Sequence, residues 1–525
     1  MMTAVSDLVV GFTETTDADR ALLGGKGAGL VEMTALGIPV PPGFVLTTEC
    51  GHCYRDNAGL PAIAADSVRT HLAELEAAVG RRFGTLDDPL LVSVRSGAPV
   101  SMPGMMDTIL NVGLSADSVA RVAAATGDAR FAYSSFENLL GGFATSVRGI
   151  PADIVDDAVA GLDRETADGA QSRCTALLDL ISQESASPFP DPLGQLTEAI
   201  GAVFGSWDSR RAVAYRKHKG IDDTLGTAVV IQAMVYGNRN ESSGSGVAFT
   251  RDPASGAPGV CGEYLSRAQG EDVVSGEFES APLSDLAAAL PHVADQLNEV
   301  LRRLEHHAGD MCDVEFTVED SRVWILQTRV GQRSSRAAVR IAVDLADEGL
   351  ITRNEAVRRI SDRALVRLPR TRESEPPTDA LVARGIASSC GAATGVAVFD
   401  ADSAADYAAA GRAVILVRPT TSPADMPGLI AAAAVVTGRG GPMSHAAVVA
   451  RGMDRPAVCG VGTVTIAADR ASALIDGVEL RLGDEVTVDG DHGWIARGAL
   501  PLDTADDDPA FQRYQQWRSG LEREM

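Results

Sequence analysis

The chain has 525 residues, 45% of them apolar, so it is too long for one ordinary core; typical domain sizes predict about three or four domains. A formal charge of −25 sets the surface against polyanions and excludes a nucleic-acid partner, and no run of about 18 uncharged apolar residues is present to span a membrane. Seven scattered cysteines, an odd number, argue against a secreted disulfide framework, and the first ten residues lack a basic stretch followed by an apolar one, so a cytoplasmic protein is expected.

Residues 21–37, "ALLGGKGAGLVEMTALG", read as a glycine turn followed by a helix that places Leu30, Met33 and Leu36 on one face. Lys26 is one of three lysines among 46 basic residues. It sits between glycines that let the backbone approach phosphates, and the helix expected just after would add its dipole. Gly27 stands where a Walker motif needs Ser or Thr, so the segment is not a P-loop. "IPVPPGFVLTT" then predicts a proline turn and a β segment, and Cys50 and Cys53, despite their CxxC spacing, read as ordinary helix-start residues.

"LLVSVRSGAPVSMPGMMDTILNVGL", residues 90–114, predicts a buried strand that delivers Arg95 at its end. A Gly/Pro/Met loop spanning Met102 to Met105 follows, with the character of a mobile lid. Residues 115–200 read as mostly helical, and 226–251 as two strands joined by a polar loop. "CDVEFTVEDSRVWILQTR", 312–329, predicts a hairpin turning at Glu319-Asp320-Ser321-Arg322. Its alternation puts Asp313 and Glu315 on one face, and Gln327 and Arg329 repeat that spacing on the partner strand. Hard oxygen donors of this kind suit Mg²⁺.

Residues 334–363 carry a helical pattern, and the charged, proline-rich 367–380 reads as an interdomain linker. Strand candidates "AVILV" and "AAAAVVTG" then lead to "GGPMSHAAVVARG", 440–452, with the Ala-rich run 404–415 expected as helix. His445 lies at the mouth of a small apolar helix after flexible glycines. A neutral imidazole there keeps a ring nitrogen free to attack phosphorus, and the helix N–H groups would stabilise the attached phosphoryl group. The other seven histidines carry no such pattern and read as structural or solvated. The acidic tail after residue 498 ends in a short helix candidate.

Six stretches in this order, among them "GGKGAGLVEMTALG", "VRSGAPVSMPGMMDT", "GSGVAFTRDPASG", "AQGEDVVSG", "DVEFTVEDSRVWILQTR" and "TGRGGPMSHAAVVARG", make the chain resemble the pyruvate phosphate dikinase family. The resemblance implies a multidomain α/β and α+β fold, with an ATP-grasp-like nucleotide-binding half and a swivelling α/β phosphohistidine domain. The expected divisions are 1–115 and 201–333 as two ATP-grasp-like subdomains, 116–200 as a helical one and 334–383 as a linker. The histidine domain then takes 384–498 and the tail 499–525. Carried over by position, Lys26, Arg95, Glu315, Gln327 and Arg329 bind ATP, Asp313, Glu315 and Gln327 hold Mg²⁺, and His445 is the phosphorylated nucleophile.

The implied reaction transfers phosphoryl from ATP to His445 with release of AMP, then to phosphate, giving pyrophosphate, and to pyruvate or another acceptor. Met443 replaces the threonine that many members carry two residues before the histidine, which removes that regulatory site. The family's pyruvate-binding barrel needs about 250 residues and does not fit in 499–525, so the acceptor is expected on a separate protein. A rifampin-phosphotransferase arrangement is disfavoured, because only residues 331–383 separate the two end domains. The runner-up reading is a non-catalytic nucleotide-binding remnant or sensor; a homodimer is left open.

Overall fold

In the computed structural model, every residue is described except 1–7, 58, 101, 103–104, 164–165, 186, 276–280, 362–364, 366–374, 423–424, 443, 503–507 and 525. The chain divides into two compact units, one of residues 1–239 with 324–327, the other of 240–323 with 328–525.

The first unit holds β1 (Val9–Gly11), α1 (Arg20–Ala35), β2 (Gly43–Leu46), α2 (Thr48–Asn57), α3 (Ala62–Val79), β3 (Val92–Gly97) and β4 (Thr108–Val112). Six helices follow: α4 (Ala116–Thr126), α5 (Ala129–Gly142), α6 (Ala152–Val159), α7 (Ala167–Glu184), α8 (Pro192–Ser206) and α9 (Arg210–Lys219), before β5 (Ala228–Ala233). The strands form one antiparallel sheet in the order β1-β2-β5-β3-β4. Its apolar side chains, among them Val92, Val94, Val229 and Ile231, pack with Leu139, Leu140 and Val203 of the helices. Side-chain oxygens fix several helix starts: Asp128 accepts from the Phe131 amide, and Asp191 from Gly194 ahead of Pro192.

The second unit begins with β6 (Gly244–Arg251), β7 (Pro258–Ser266), α10 (Gly270–Ser275), β8 (Ala281–Pro282), α11 (Leu283–Ala289), α12 (Pro291–Ala308), β9 (Cys312–Glu319) and β10 (Arg322–Val330). These strands form a second sheet, in the order β10-β9-β6-β7-β8. Asp320 and Ser321 turn the β9–β10 hairpin with positive φ, at the position the sequence predicted. Residues 324–327 of β10 belong with the first unit, where the Ile325 amide donates to Pro39 O at 2.8 Å. β5 and β6, the two strands expected around the polar 234–243 loop, therefore lie in different sheets.

α13 (Ser335–Asp347) and α14 (Arg353–Arg359) follow. Arg251 anchors this region: only 3% exposed, it bonds both oxygens of Glu305 and both of Glu348, tying β6 to α12 and to the end of α13.

Next come β11 (Leu381–Arg384), β12 (Ile386–Ser389), β13 (Ala392–Val398), α15 (Ala401–Ala409), β14 (Val414–Arg418), α16 (Met426–Ala431), β15 (Ala434–Thr437), α17 (His445–Gly452) and β16 (Ala457–Cys459). β17 (Val464–Ile466), β18 (Ser472–Ile475), β19 (Val478–Arg481), β20 (Glu485–Asp489) and β21 (Trp494–Arg497) complete this part. The Ala-rich run is helix only to Ala409; by Val414 it has become strand. An eight-stranded mixed sheet, β11-β21-β20-β13-β14-β15-β16-β12, has parallel β13 to β16 at its centre. These strands are buried on both faces, which explains their unbroken apolar runs. Val414, Leu416 and Val435 join one core with Ala446 and Ala450 of α17, while Ile415, Val417 and Val436 join another with Ile475 and Leu480.

The last helix, α18 (Pro509–Glu524), is no loose tail: Tyr514, 1% exposed, and Trp517 pack with Ile341 and Ile351 around α13 and α14. Among the described residues, no helix is long and apolar enough to cross a membrane, and all seven cysteines are unbridged.

Candidate functional site

Gly24 has φ +68° and ψ 165°, a break inside α1, which starts earlier than the sequence predicted, at Arg20. A Cβ on Gly24 would lie 1.6 Å from Gly97 O, and the Gly25 amide donates to Ala98 O at 2.9 Å. The break therefore seats α1 directly on the end of β3. Half-buried Lys26 follows, and a Cβ on Gly97 would be only 3.7 Å from its Cβ.

Arg95, two residues before Gly97 on β3, sends Nη1 to Gln232 Oε1 at 3.4 Å and to Leu326 O at 3.3 Å. Gln232, 2% exposed, is itself held by donating to Pro41 O. Lys26, Arg95 and the 324–327 segment that carries half-buried Gln327 thus belong to one unit.

The methionine loop is fastened to α9. Met102 packs with Trp207 and Ala212, with Met105 and Met106 against them, while Arg211 donates to Met105 O and pairs with Asp107. Residues 101, 103 and 104 of the expected lid lie outside the described residues.

In the second unit, Asp313 and Glu315 stand opposite Phe249 and Val247 in the β6–β9 register. Asp313 is 4% exposed. Its Oδ2 accepts from Arg329 Nε at 2.8 Å, and its buried Oδ1 has no hydrogen-bond partner. Burial raises the Asp313 pKa, against the lowering by the Arg329 charge and hydrogen bond. For Arg329, burial works downward but the Asp313 charge and bond outweigh it and raise the pKa. Glu315 is half-buried.

His445 opens α17, with Ser444 as N-cap accepting from the Ala447 amide at 3.4 Å. The ring is half-buried, and its Nδ1 lies 3.1 Å from Thr421 Oγ1. Burial lowers the His445 pKa from its ordinary value, with the Asp425 charge opposing. The preceding loop bends at Gly440, φ +101°, and a Cβ on Gly441 would lie 2.2 Å from Glu263 Oε1, so the backbone passes directly against β7. Met443 lies outside the described residues.

The far end of α17 is also fixed. Arg451, 2% exposed, donates to Ser388 O at 2.8 Å, and Asp454 accepts from the Ser335 amide at 2.5 Å at the start of α13. Thr421, Gln232 and Arg211 escaped the sequence reading. For Thr421 a signal existed: the loops after parallel neighbours β14 and β15 both leave the carboxyl ends of their strands, where α/β sheets gather ligand-binding groups.

Comparison with known proteins adds two family matches. The family described as "Pyruvate phosphate dikinase, AMP/ATP-binding domain" matches residues 20–78, 58–283 and 285–349, and "PEP-utilising enzyme, mobile domain" matches 411–493. The chain is similar to the pyruvate, phosphate dikinase of Rhizobium meliloti (strain 1021), at 40% identity over 98% of this chain and 60% of that protein. It is 41% identical to that of Clostridium symbiosum, over 96% of this chain and 60% of that protein. With the chloroplastic one of Flaveria pringlei it shares 40% identity over 96% of this chain and 54% of that protein. The chain thus spans about 60% of the length of the first two.

Proposed function

We propose, from the premise that this chain belongs to the pyruvate phosphate dikinase family, that it is an ATP-dependent phosphotransferase working through His445. Nε2 attacks the β-phosphorus of ATP, the bond to the α-phosphate oxygen breaks, and AMP leaves. Inorganic phosphate then takes the terminal phosphoryl group as pyrophosphate. The phosphoryl group remaining on the histidine passes to pyruvate or another acceptor, and the imidazole is regenerated.

The observation that carries this reading is the state of the His445 ring. With Nδ1–H donating to Thr421 Oγ1, the tautomer this reading assigns to the contact, Nε2 keeps the free lone pair and is the nucleophilic nitrogen. Burial disfavours the protonated, non-nucleophilic form. As the first residue of α17, His445 lies beside amide groups able to meet phosphate oxygens.

Lys26 and Arg95 are assigned to the ATP phosphates, with Gln327, Glu315 and Arg329 as further nucleotide-binding residues. The buried, unpartnered Oδ1 of Asp313 fits a hard cation, so Asp313, Glu315 and Gln327 would hold Mg²⁺. When bound, that ion neutralises phosphate charge. The proposed divisions are ATP-grasp-like subdomains at 1–115 and 201–333, a helical 116–200, a linker at 334–383 and a mobile histidine domain at 384–498; the sheet β1-β2-β5-β3-β4, which takes strands from both 1–115 and 201–333, supports grouping those two as one nucleotide-binding half.

The test is transfer of label from ATP marked in the β position. Acid-labile label on the wild-type chain, with AMP released and both lost in His445→Ala, is the expected result. AMP release without label on the protein, or labelling that survives His445→Ala, refutes the assignment.

A further inference from the structure

Glu14, His71 and Glu74, none of them given a role above, bring a ring nitrogen and two carboxylate oxygens within 4.8 Å of one another in the first unit. His71 and Glu74 are three apart on α3 and share a helix face. Glu14 lies in the turn after β1, where its Oε2 accepts from the Gly11 amide at 2.7 Å and faces His71 Nε2 at 3.1 Å.

The second observation is the commitment of the other ring nitrogen. His71 is 8% exposed, and its Nδ1 lies 2.8 Å from Ser67 O, an acceptor, so Nδ1 must carry a proton. In the neutral ring, Nε2 then points a lone pair at the Glu14 carboxylate. Two lone pairs do not face each other at this distance without a cation between them, whether a proton or a metal ion.

A histidine whose Nδ1–H is held by a backbone carbonyl while Nε2 faces carboxylates is oriented as metal-bound histidines are. Donors bound to tetrahedral Zn²⁺ at about 2.0–2.2 Å stand about 3.3 Å apart, close to the Glu14–His71 separation. Exposed Glu74 can close the remaining gap by rotation.

We propose that Glu14, His71 and Glu74 bind a divalent first-row transition ion of the Zn²⁺ type, with water in the fourth position. One imidazole and two carboxylates form a borderline donor set, distinct from the all-oxygen set suited to Mg²⁺. The ion would fasten the turn after the edge strand β1 to α3.

The test is a Co²⁺ titration of the full chain after chelation, followed by displacement with Zn²⁺. One equivalent of Co²⁺ should give the intense visible absorption of a tetrahedral site, Zn²⁺ should abolish it, and Zn²⁺ should raise Tm. Glu74→Gln, an exposed substitution that spares the fold, and His71→Gln should each lose the absorption and the Tm response. A pair held only by a proton gives no such absorption and a Tm indifferent to Zn²⁺, and either result overturns the proposal. So does an absorption that persists in both variants, since the ion then sits elsewhere.

Discussion

Replacing Thr421 by valine keeps the shape of the side chain and exchanges the hydroxyl for a methyl group. The 3.1 Å contact to His445 Nδ1 is then lost. A neutral hydrogen bond of this kind contributes about 0.5–1.5 kcal/mol net. Since about 1.4 kcal/mol corresponds to a factor of ten, labelling of His445 by ATP should slow by about 2- to 12-fold. The loss should appear in the rate and not in the KM for ATP, because Thr421 is not among the residues assigned to the nucleotide. Thr421→Ser, which retains the hydroxyl, should recover most of the rate. Single-turnover quench experiments with β-labelled ATP measure these quantities. Wild-type rates in Thr421→Val, or an equal loss in Thr421→Ser, would refute the claim that this hydroxyl orients the ring.

Gly24→Ala forces a side chain into a conformation near-exclusive to glycine, against the Gly97 carbonyl; thermal unfolding should report a loss of about 2–4 kcal/mol, and an unchanged Tm would contradict the described break in α1. Arg251→Met leaves the largely buried Glu305 unpaired and should cost about 3 kcal/mol or more by denaturant unfolding, whereas a neutral effect would show that the four-bond clamp contributes little. The His445 pKa is lowered on folding, so its neutral form should persist below the ordinary value of about 6.5, and the acid limb of the labelling rate should fall below that pH. Between the two pKa values the unfolded chain binds more protons; stability is therefore complete above about 6.5 and falls as pH drops toward the folded value, a slope that His445→Gln should remove. Asp313→Asn should weaken Mg²⁺-dependent ATP binding, measured calorimetrically, and Mg²⁺ affinity equal to wild type would remove Asp313 from the ion's ligands.

Legibility in the sequence followed the range of the interactions. The β9–β10 hairpin and the apolar strands β14 and β15 were readable because alternation or continuous burial is written into adjacent residues. His445 at a helix start was readable for the same reason, since glycines, cap and apolar run are contiguous. The partners of these residues were not. Thr421 meets His445 across 24 positions, and Arg95 meets Leu326 O across 231. Nor does local pattern reveal that β5 and β6 enter separate sheets, or that four residues of β10 belong with the other unit. The methionine loop looked like a lid from its composition alone. Its attachment to α9 depends on Trp207 and Arg211, about a hundred residues away, and the break at Gly24 on a carbonyl of β3.

The packing of α18 against α13 and α14 has a structural consequence. The chain leaves that helical layer to build the β11–β21 body and comes back to it, with Arg513 pairing to Asp347 and Tyr514 bonding to Val357 O. Tyr514 lies 157 positions after Val357, so the last turns of the sequence supply cover for helices laid down far upstream, and a chain cut short of Pro509 would leave Ile341 and Ile351 without that apolar lining.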